Sequence, residues 1–335
     1  MSLNLSLALF EGLRAVRQNY ELGNITYEQA RQQTEQNVRK AFYGILVQEG
    51  SLSLAEEKLE ISENRLRQTS INYRNGLVPE LSYLQTQLAV ETQKPALMET
   101  RLNLEQQKNL FAFLIGLPIG TVIELSGEIE PEVVIYDEDE MVNKYLLNNL
   151  DIAILRKNID LLNTQRKASA FQRFTPAISI SQSFAPYLSP INENWFNGNN
   201  WTDSGSFSVT LAFDIMGMMP FSTTGQTAAD TKDNIKKLEL NMQQLVYNTE
   251  LQIRNLVQKL EKSKTAITAM ELNVAIAEKA YRLTDEGYRA GTIEYLDLKD
   301  AENTMMQAKL GVLGEKFTYM STLLDLETVL NTKLN

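Results

Sequence analysis

Residues 281–301 read YRLTDEGYRAGTIEYLDLKDA, and this stretch decides the fold. A long helix, with apolar residues spaced by three and four, ends at Gly291, and a second helix begins within a few residues. Glycine suits such a reversal because it adopts a positive φ without a Cβ clash. Asp297 and Asp300 then fall in the first turns of the returning helix, where carboxylates complement free N–H groups. The stretch predicts a helical hairpin with Gly291 at its tip, the turn that joins the two helices.

The same hairpin pattern occurs earlier in the chain, with Gly76 at its tip. The tip residues that match at a constant offset of 215 residues are Tyr73 and Tyr288, Arg74 and Arg289, Gly76 and Gly291, and Leu81 and Leu296. Apolar positions follow the same offset without a gap between about residues 34 and 115. Helical periodicity alone would align apolar positions but not these tip residues. We therefore predict an internal two-fold repeat.

Composition excludes several classes of function. The 335 residues include no cysteine and no histidine, which removes thiol chemistry, the usual zinc ligands and histidine-based triads. The net charge of −10 disfavours nucleic acid as a partner. We also find no nucleophile–base pair and no phosphate-binding loop. We predict a protein that is not an enzyme and has no cofactor and no metal site.

The repeat divides the chain into three parts. Residues 1–115 form the first repeat, with one strand over residues 1–10 and a long hairpin. Residues 116–140, rich in Gly, Pro and acidic residues, form a connector. Residues 141–335 form the second repeat, with a helix over about 139–171, a strand pair within 176–215 and the second hairpin. The first long helix should reach about 90 Å at 1.5 Å per residue. We expect irregularity near Gly23 and a kink or break at Pro95.

The predicted strand pair alternates large apolar with small polar residues. Such a pattern suits a soluble sheet packed on a core, or a membrane barrel with lipid outside and water inside. The segment between the strands carries aromatic side chains at Tyr187, Trp195, Phe196 and Trp201. Aromatic residues beside such strands are typical of a membrane interface, which favours the barrel.

The order of these elements resembles the outer membrane efflux protein family of TolC-like channels. The most specific residues are YxxGxxxxLDL from Tyr288 to Leu298, followed by Asp300, and YxxGxxxxLSYL from Tyr73 to Leu84. The resemblance implies a mainly α fold with a small β part. The helical hairpins would form a coiled-coil α-barrel in the periplasm, and the strands would belong to a trimeric transmembrane β-barrel.

The resemblance also implies a function. It predicts a homotrimeric exit duct in the outer membrane of a Gram-negative-type bacterium, serving efflux or type I secretion and extending into the periplasm. The hairpin tips would dock a periplasmic adaptor, which links the duct to an inner-membrane transporter. The tip residues implied in docking are Tyr73, Arg74, Gly76, Leu81, Arg289, Gly291, Glu294 and Leu296. The alternative is a soluble periplasmic coiled-coil spacer without a pore.

Three residues near the second tip match the positions that narrow such channels: Tyr288, Asp297 and Asp300. A threefold axis would gather up to six carboxylates, which attract cations and repel anions in a narrow throat. The alternative is that Asp297 and Asp300 are ordinary carboxylates at a helix N-terminus.

The sequence departs from the family pattern at its start. The family places a helix and two strands before the first long helix, and this chain has one strand there. We therefore expect an N-terminal truncation or a mis-assigned start, with the signal peptide on the missing part. Three strands per chain would not complete a 12-stranded trimeric barrel.

Overall fold

The computed structural model describes residues 1–118, 120–127, 129–132, 134–188, 194, 196, 198–219 and 221–334. Its helices are α1 (Leu7–Arg74), α2 (Glu80–Leu114), α3 (Glu138–Tyr145), α4 (Leu150–Phe174), α5 (Thr223–Arg289) and α6 (Tyr295–Leu330). Its strands are β1 (Ser2–Leu5), β2 (Ala177–Gln182), β3 (Pro186–Leu188), β4 (Trp201–Asp203) and β5 (Phe207–Ala212). Helices α1 and α2 form the first hairpin, and α5 and α6 form the second. The predicted mainly α fold is confirmed.

The first strand is shorter than predicted, because β1 ends at Leu5 and α1 begins at Leu7. The alternating leucines of residues 3–9 suggested one strand. However, Leu9, Leu13 and Val16 are spaced by four and three, so they also suit a helix. Leu9 N–H already donates to the carbonyl of Ser6 at 3.1 Å, within the first turn.

Glycine and proline do not interrupt the long helices as predicted. Helix α1 is continuous through Gly12 and Gly23, and α2 is continuous through Pro95. A glycine costs roughly 1 kcal/mol in a helix interior, which is small beside the packing of a 68-residue helix. Gly50 even serves this packing, since a Cβ there would lie 2.8 Å from Leu313 Cδ2 on α6.

The predicted helix over 139–171 is two helices. Asn149 separates α3 from α4, and its side-chain oxygen accepts a hydrogen bond from Ile152 N–H at 3.2 Å. An asparagine cap of this kind satisfies one of the free N–H groups at the start of a helix. The apolar periodicity runs across the break, and it therefore suggested a single helix.

Contacts divide the chain into two units, Met1–Gln29 with Leu147–Asn248, and Ala30–Leu146 with Thr249–Asn335. The first unit holds all the strands. The second unit holds both tips and most of both hairpins. Each unit thus takes segments from both predicted repeats, while the three-part division of the sequence stays a prediction.

The core of the second unit repeats at the same offset as the sequence. Ile45, Leu104 and Phe111 form one buried cluster in the first hairpin. The residues 215 positions later, Leu260, Tyr319 and Leu326, lie together in the buried cluster of the second hairpin. Because both clusters use equivalent positions, the two hairpins are packed by one scheme. The predicted internal repeat is confirmed.

Strands β1, β2 and β5 form an antiparallel sheet in the order β1-β2-β5. Its register places Leu3, Ile180 and Val209 side by side, and Ser2, Ser181 and Ser208 in the adjacent row. Side chains alternate between the faces of a sheet, so one face is apolar and the other polar. On the polar face, the Ser181 and Ser208 hydroxyl groups are 2.7 Å apart. The predicted alternation is therefore observed across all three strands.

Among the described residues, none covers the apolar face of this sheet. Leu3 is 53% exposed, Val209 59% and Leu211 69%. Large uncovered apolar surfaces mark contacts with lipid or protein. None of the helices within the described residues combines the length and apolar character that crossing a membrane requires.

Candidate functional site

The two tips share one backbone geometry. In the first tip, Gly76 N–H donates to Tyr73 C=O at 2.9 Å and Leu77 N–H donates to Asn72 C=O at 2.8 Å. In the second tip, the equivalent bonds join Gly291 to Tyr288 at 3.0 Å and Thr292 to Gly287 at 2.9 Å. This pair of bonds is the Schellman motif, in which a left-handed residue ends a helix. Gly76 has φ +70° and Gly291 has φ +74°.

A pair of tyrosine rings lies beside each turn. Tyr73 stacks on Tyr83 with ring centroids 5.4 Å apart and an angle of 7°. Tyr288 meets Tyr295 at 6.1 Å and 55°. Each contact joins the two helices of its own hairpin. In this single chain, Tyr288 therefore packs within the second hairpin, and its predicted role at a channel gate stays a prediction.

The two predicted gate carboxylates are exposed on α6. Asp297 lies in the first turn of the helix and Asp300 three residues later, so they are neighbours on one face. Leu298, between them in sequence, is fully buried in the hairpin. The arginine at the second tip, Arg289, pairs with Asp285 on α5, 2.7 Å away, and not with either of these carboxylates. The geometry leaves both free to face a partner or a pore.

The remaining docking candidates are also exposed. Leu81 is 65% exposed and Leu296 63%, and Glu294 is exposed before the start of α6. Arg289 forms an ion pair with Asp285 at 2.7 Å, while Arg74 is exposed at the end of α1. In the structure these residues lie at or beside the two tips. Their role in docking an adaptor stays a prediction.

The predicted interface aromatics lie near the short strand pair β3–β4. Trp201 pairs with Leu188, and Tyr187 is its neighbour in the ladder. Trp201 is 40% exposed, Tyr187 49% and Phe196 89%. Trp195 lies outside the described residues.

A buried ionic cluster near the tips was missed by the sequence analysis. Arg65 Nη1 lies 2.6 Å from Glu302 Oε2, and the two side chains are 7% and 3% exposed. Arg65 Nη2 also donates to the Tyr281 hydroxyl at 3.3 Å and lies 3.9 Å from Asp285. Arg65 belongs to the first hairpin and its three partners to the second, so the cluster joins the two hairpins.

The electrostatics of the cluster favour its charged form. Burial lowers the pKa of Arg65, but the hydrogen bond and negative charge of Glu302 outweigh burial, so the pKa is raised. Burial raises the pKa of Tyr281 and of Tyr295, and the positive charge of Arg65 opposes part of each rise. Both tyrosines therefore remain neutral hydroxyl groups around the guanidinium group.

A signal for this cluster was present in the sequence. Arg65 follows Ile61 by four residues on the inward face of α1. Glu302 likewise lies between Leu298 and Met305 on the inward face of α6. An arginine and a glutamate that interrupt two apolar stripes are candidates for a buried pair, because unpaired charges are rarely buried.

A sequence model of the outer membrane efflux protein family matches residues 1–117 and 141–332. The chain belongs to this family. The matched residues include both hairpins and strands β1–β5, and therefore also the tips, the tyrosine pairs and the buried cluster of this chain.

Curated relatives in the outer membrane efflux protein family are distant in sequence. Outer membrane protein TolC of Salmonella enteritidis is 22% identical over 99% of this chain and 68% of its own length. Nodulation protein T of Rhizobium leguminosarum bv. trifolii is 21% identical over 82% of this chain and 58% of its own. The chain thus spans about three fifths to two thirds of the length of these relatives.

A solved structure agrees with the family fold. The MtrE outer membrane channel of Neisseria gonorrhoeae, in its open state, superposes with a TM-score of 0.81 at 20% identity. The superposition covers 100% of this chain and 74% of MtrE. At this identity the likeness establishes the fold.

Proposed function

We propose that this chain is a subunit of an outer membrane channel that serves as the exit duct of a tripartite efflux or type I secretion system. The observation that carries the proposal is the three-stranded sheet, with an uncovered apolar face and a polar face of serine and threonine. A strand of a water-filled barrel needs this division, because one face meets lipid and the other meets water. A soluble spacer has no use for the apolar face.

We propose that three copies assemble around a threefold axis. The helices also carry apolar residues that are exposed in the described part of the chain. On α2 these are Leu84, Leu88, Met98, Leu102, Leu110 and Phe113. A contiguous apolar helix face is typical of a helix that packs against a partner, and in a homotrimer the neighbouring copies would supply that partner.

The exposed tips would dock a periplasmic adaptor, which would connect the duct to an inner-membrane transporter. The names of similar proteins support this role. One such relative, from Pseudomonas putida, is named as the outer membrane protein of an antibiotic efflux pump and is 21% identical over 96% of this chain. The duct itself would be a passive conduit and not an enzyme.

The gate of the duct would lie at the second tip. Asp297 and Asp300 are exposed on α6, and three copies would bring up to six carboxylates together. Such a ring raises the local concentration of cations and repels anions. Tyr288 would position the turn beside it.

Negative-stain electron microscopy of the protein in detergent, expressed from its complete reading frame, tests the channel. A hollow particle with threefold symmetry is expected. A slim, water-soluble monomer or dimer without a lumen would contradict the proposal and favour the spacer.

A further inference from the structure

Arg65 marks the polar contact between the hairpins that lies nearest the tips. Further from the tips, Lys58 Nζ donates to Asn303 Oδ1 at 2.9 Å, and Lys309 Nζ lies 3.5 Å from Glu57. Among the described residues nearer the tips than Arg65, Tyr295 reaches back to Arg65 itself, and no ion pair or ring contact runs from one hairpin to the other. Polar contacts between the two hairpins therefore extend toward the tips as far as Arg65 and end there.

Between Arg65 and the tips, the contacts described here lie mainly between the two helices of the same hairpin. The turns are held by their own backbone hydrogen bonds, and each tyrosine pair joins two helices of one hairpin. We call residues 66–87 and 286–301 the tip segments. Arg65 precedes Gly76 by 11 residues, and Glu302 follows Gly291 by 11 residues. At 1.5 Å per residue, each tip segment is a lever of about 16 Å.

We propose that Arg65 is a positioning residue for the gate: it is the fulcrum at which the two hairpins of one chain part, so that opening moves the tip segments only. The inference rests on the proposed function. Asp297 and Asp300 lie on the tip segment of α6, within five residues of Glu302. A rotation by about 20° at the fulcrum would move each tip by about 5–6 Å, given the helix rise.

The ion pair between Arg65 and Glu302 should stay intact during this motion. Separating Arg65 from Glu302 would leave two buried charges without partners, which proteins tolerate poorly. Parting of the tip segments breaks no ion pair between the hairpins, and the one polar contact that it loosens is that of the Tyr295 hydroxyl group with Arg65 itself. The motion therefore begins where the polar contacts end.

Distances between spin labels, measured by pulsed electron paramagnetic resonance, test the fulcrum. The chain has no cysteine, so introduced cysteines are labelled selectively. The tip pair is Asn75→Cys with Ala290→Cys, which are exposed equivalents in the two hairpins. The shoulder pair is Glu60→Cys with Lys279→Cys, exposed positions further from the tips. Labelled chains are mixed with excess unlabelled protein, so that each particle carries one labelled copy.

We expect a broad distance distribution for the tip pair and a narrow one for the shoulder pair. In the Arg65→Ala/Glu302→Ala double variant, which removes the side-chain contact as well as the charges, the shoulder distribution should widen as well, because the fulcrum shifts toward Lys58 and Asn303. A matched control, Arg101→Ala/Glu56→Ala, removes an ion pair of 2.8 Å within the first hairpin and should leave the shoulder distribution narrow.

Equal widths for the two label pairs in the parent protein would overturn the proposal. So would a lower unfolding temperature in the double variant with both widths unchanged, since that result shows a purely stabilising role. If the double variant does not fold, Glu302→Gln keeps the shape of the side chain, and a smaller widening of the shoulder distribution is expected. The distances lie within one chain, so they report on the fulcrum whether or not the trimeric channel is confirmed.

Discussion

Gly76 and Gly291 hold the same left-handed conformation although 215 residues separate them. Other residues adopt this backbone conformation only at an energetic cost. Gly76 follows a helix of 68 residues, and Gly291 follows one of 67 residues. The turn is thus part of the duplicated unit, together with the buried clusters of both hairpins.

Replacing either tip glycine should destabilise the protein. We expect Gly76→Ala and Gly291→Ala each to lower the free energy of unfolding by about 1–2 kcal/mol, because a Cβ is disfavoured at positive φ. The measurement is thermal or denaturant unfolding of the purified protein. Gly23→Ala is the matched control, since a Cβ there meets no atom within 4 Å. It should stabilise the helix by about 0.5–1 kcal/mol, and a loss at Gly23 would contradict this account.

The buried ion pair should show strong coupling between its partners. Glu302→Leu alone should cost about 3–5 kcal/mol, because it leaves the Arg65 charge buried without its partner. Adding Arg65→Leu should recover most of the loss, because an apolar pair fits a buried site. A double-mutant cycle on unfolding free energies measures the coupling. Additive losses would show that the two charges do not depend on each other.

Alkaline pH should weaken the joint between the hairpins. Burial raises the pKa of Tyr281 and of Tyr295 above the ordinary value of 10.0. Since the folded protein holds these protons more tightly than the unfolded chain, their contribution to stability is complete below pH 10 and is lost as pH rises through the raised pKa. Unfolding measured across this range should show the loss. It should shrink in Tyr281→Phe/Tyr295→Phe, but not in Tyr247→Phe, whose ring is 71% exposed.

Neutralising the proposed gate should change ion selectivity. Asp297→Asn with Asp300→Asn should reduce the preference for cations, because it removes the carboxylate ring. The reversal potential across a planar bilayer under a salt gradient measures this preference, and it should move toward zero. Glu80→Gln, an exposed carboxylate at the start of α2, serves as the control. An unchanged reversal potential in the double variant would remove both aspartates from the selectivity argument.

The aromatic residues near β4 should mark the depth of the sheet in a membrane. The chain has two tryptophans, so Trp195→Phe leaves Trp201 as the single reporter. We expect nitroxide-labelled lipids to quench Trp201 most strongly when the label is near the headgroups, as for interfacial aromatics. Stronger quenching by a label at the end of the acyl chain, or none at all, would contradict the interfacial position.

The sequence predicted the features that depend on repetition. The tips, the duplicated cores and the two faces of the sheet all follow from residue types that recur at fixed spacing, such as Gly76 and Gly291. Predictions from the sequence were wrong where one residue pattern is compatible with two structures. The alternating leucines of residues 3–9 suit a strand or a helix, and the chain forms a helix from Leu7 onward.

Long-range pairing was beyond the sequence analysis. Arg65 and Glu302 are 237 residues apart, and a single charged residue on a helix is usually solvated. Only the approach of α1 to α6 makes them partners. The same is true of Gly50, whose missing side chain leaves room for Leu313.

The buried pair also breaks the equivalence of the two repeats. At the offset of 215, Arg65 corresponds to Ala280 and Glu302 to Gln87, and both of these are exposed in this chain. A ring of three chains would contain six hairpins. It would therefore have six seams, where a seam is the interface between two neighbouring hairpins. Three seams, within the subunits, would be sealed by a buried ion pair, and three, between the subunits, would have alanine and glutamine at that level. Duplication would then have produced a six-part ring whose true symmetry is threefold, with strong and weak seams in alternation.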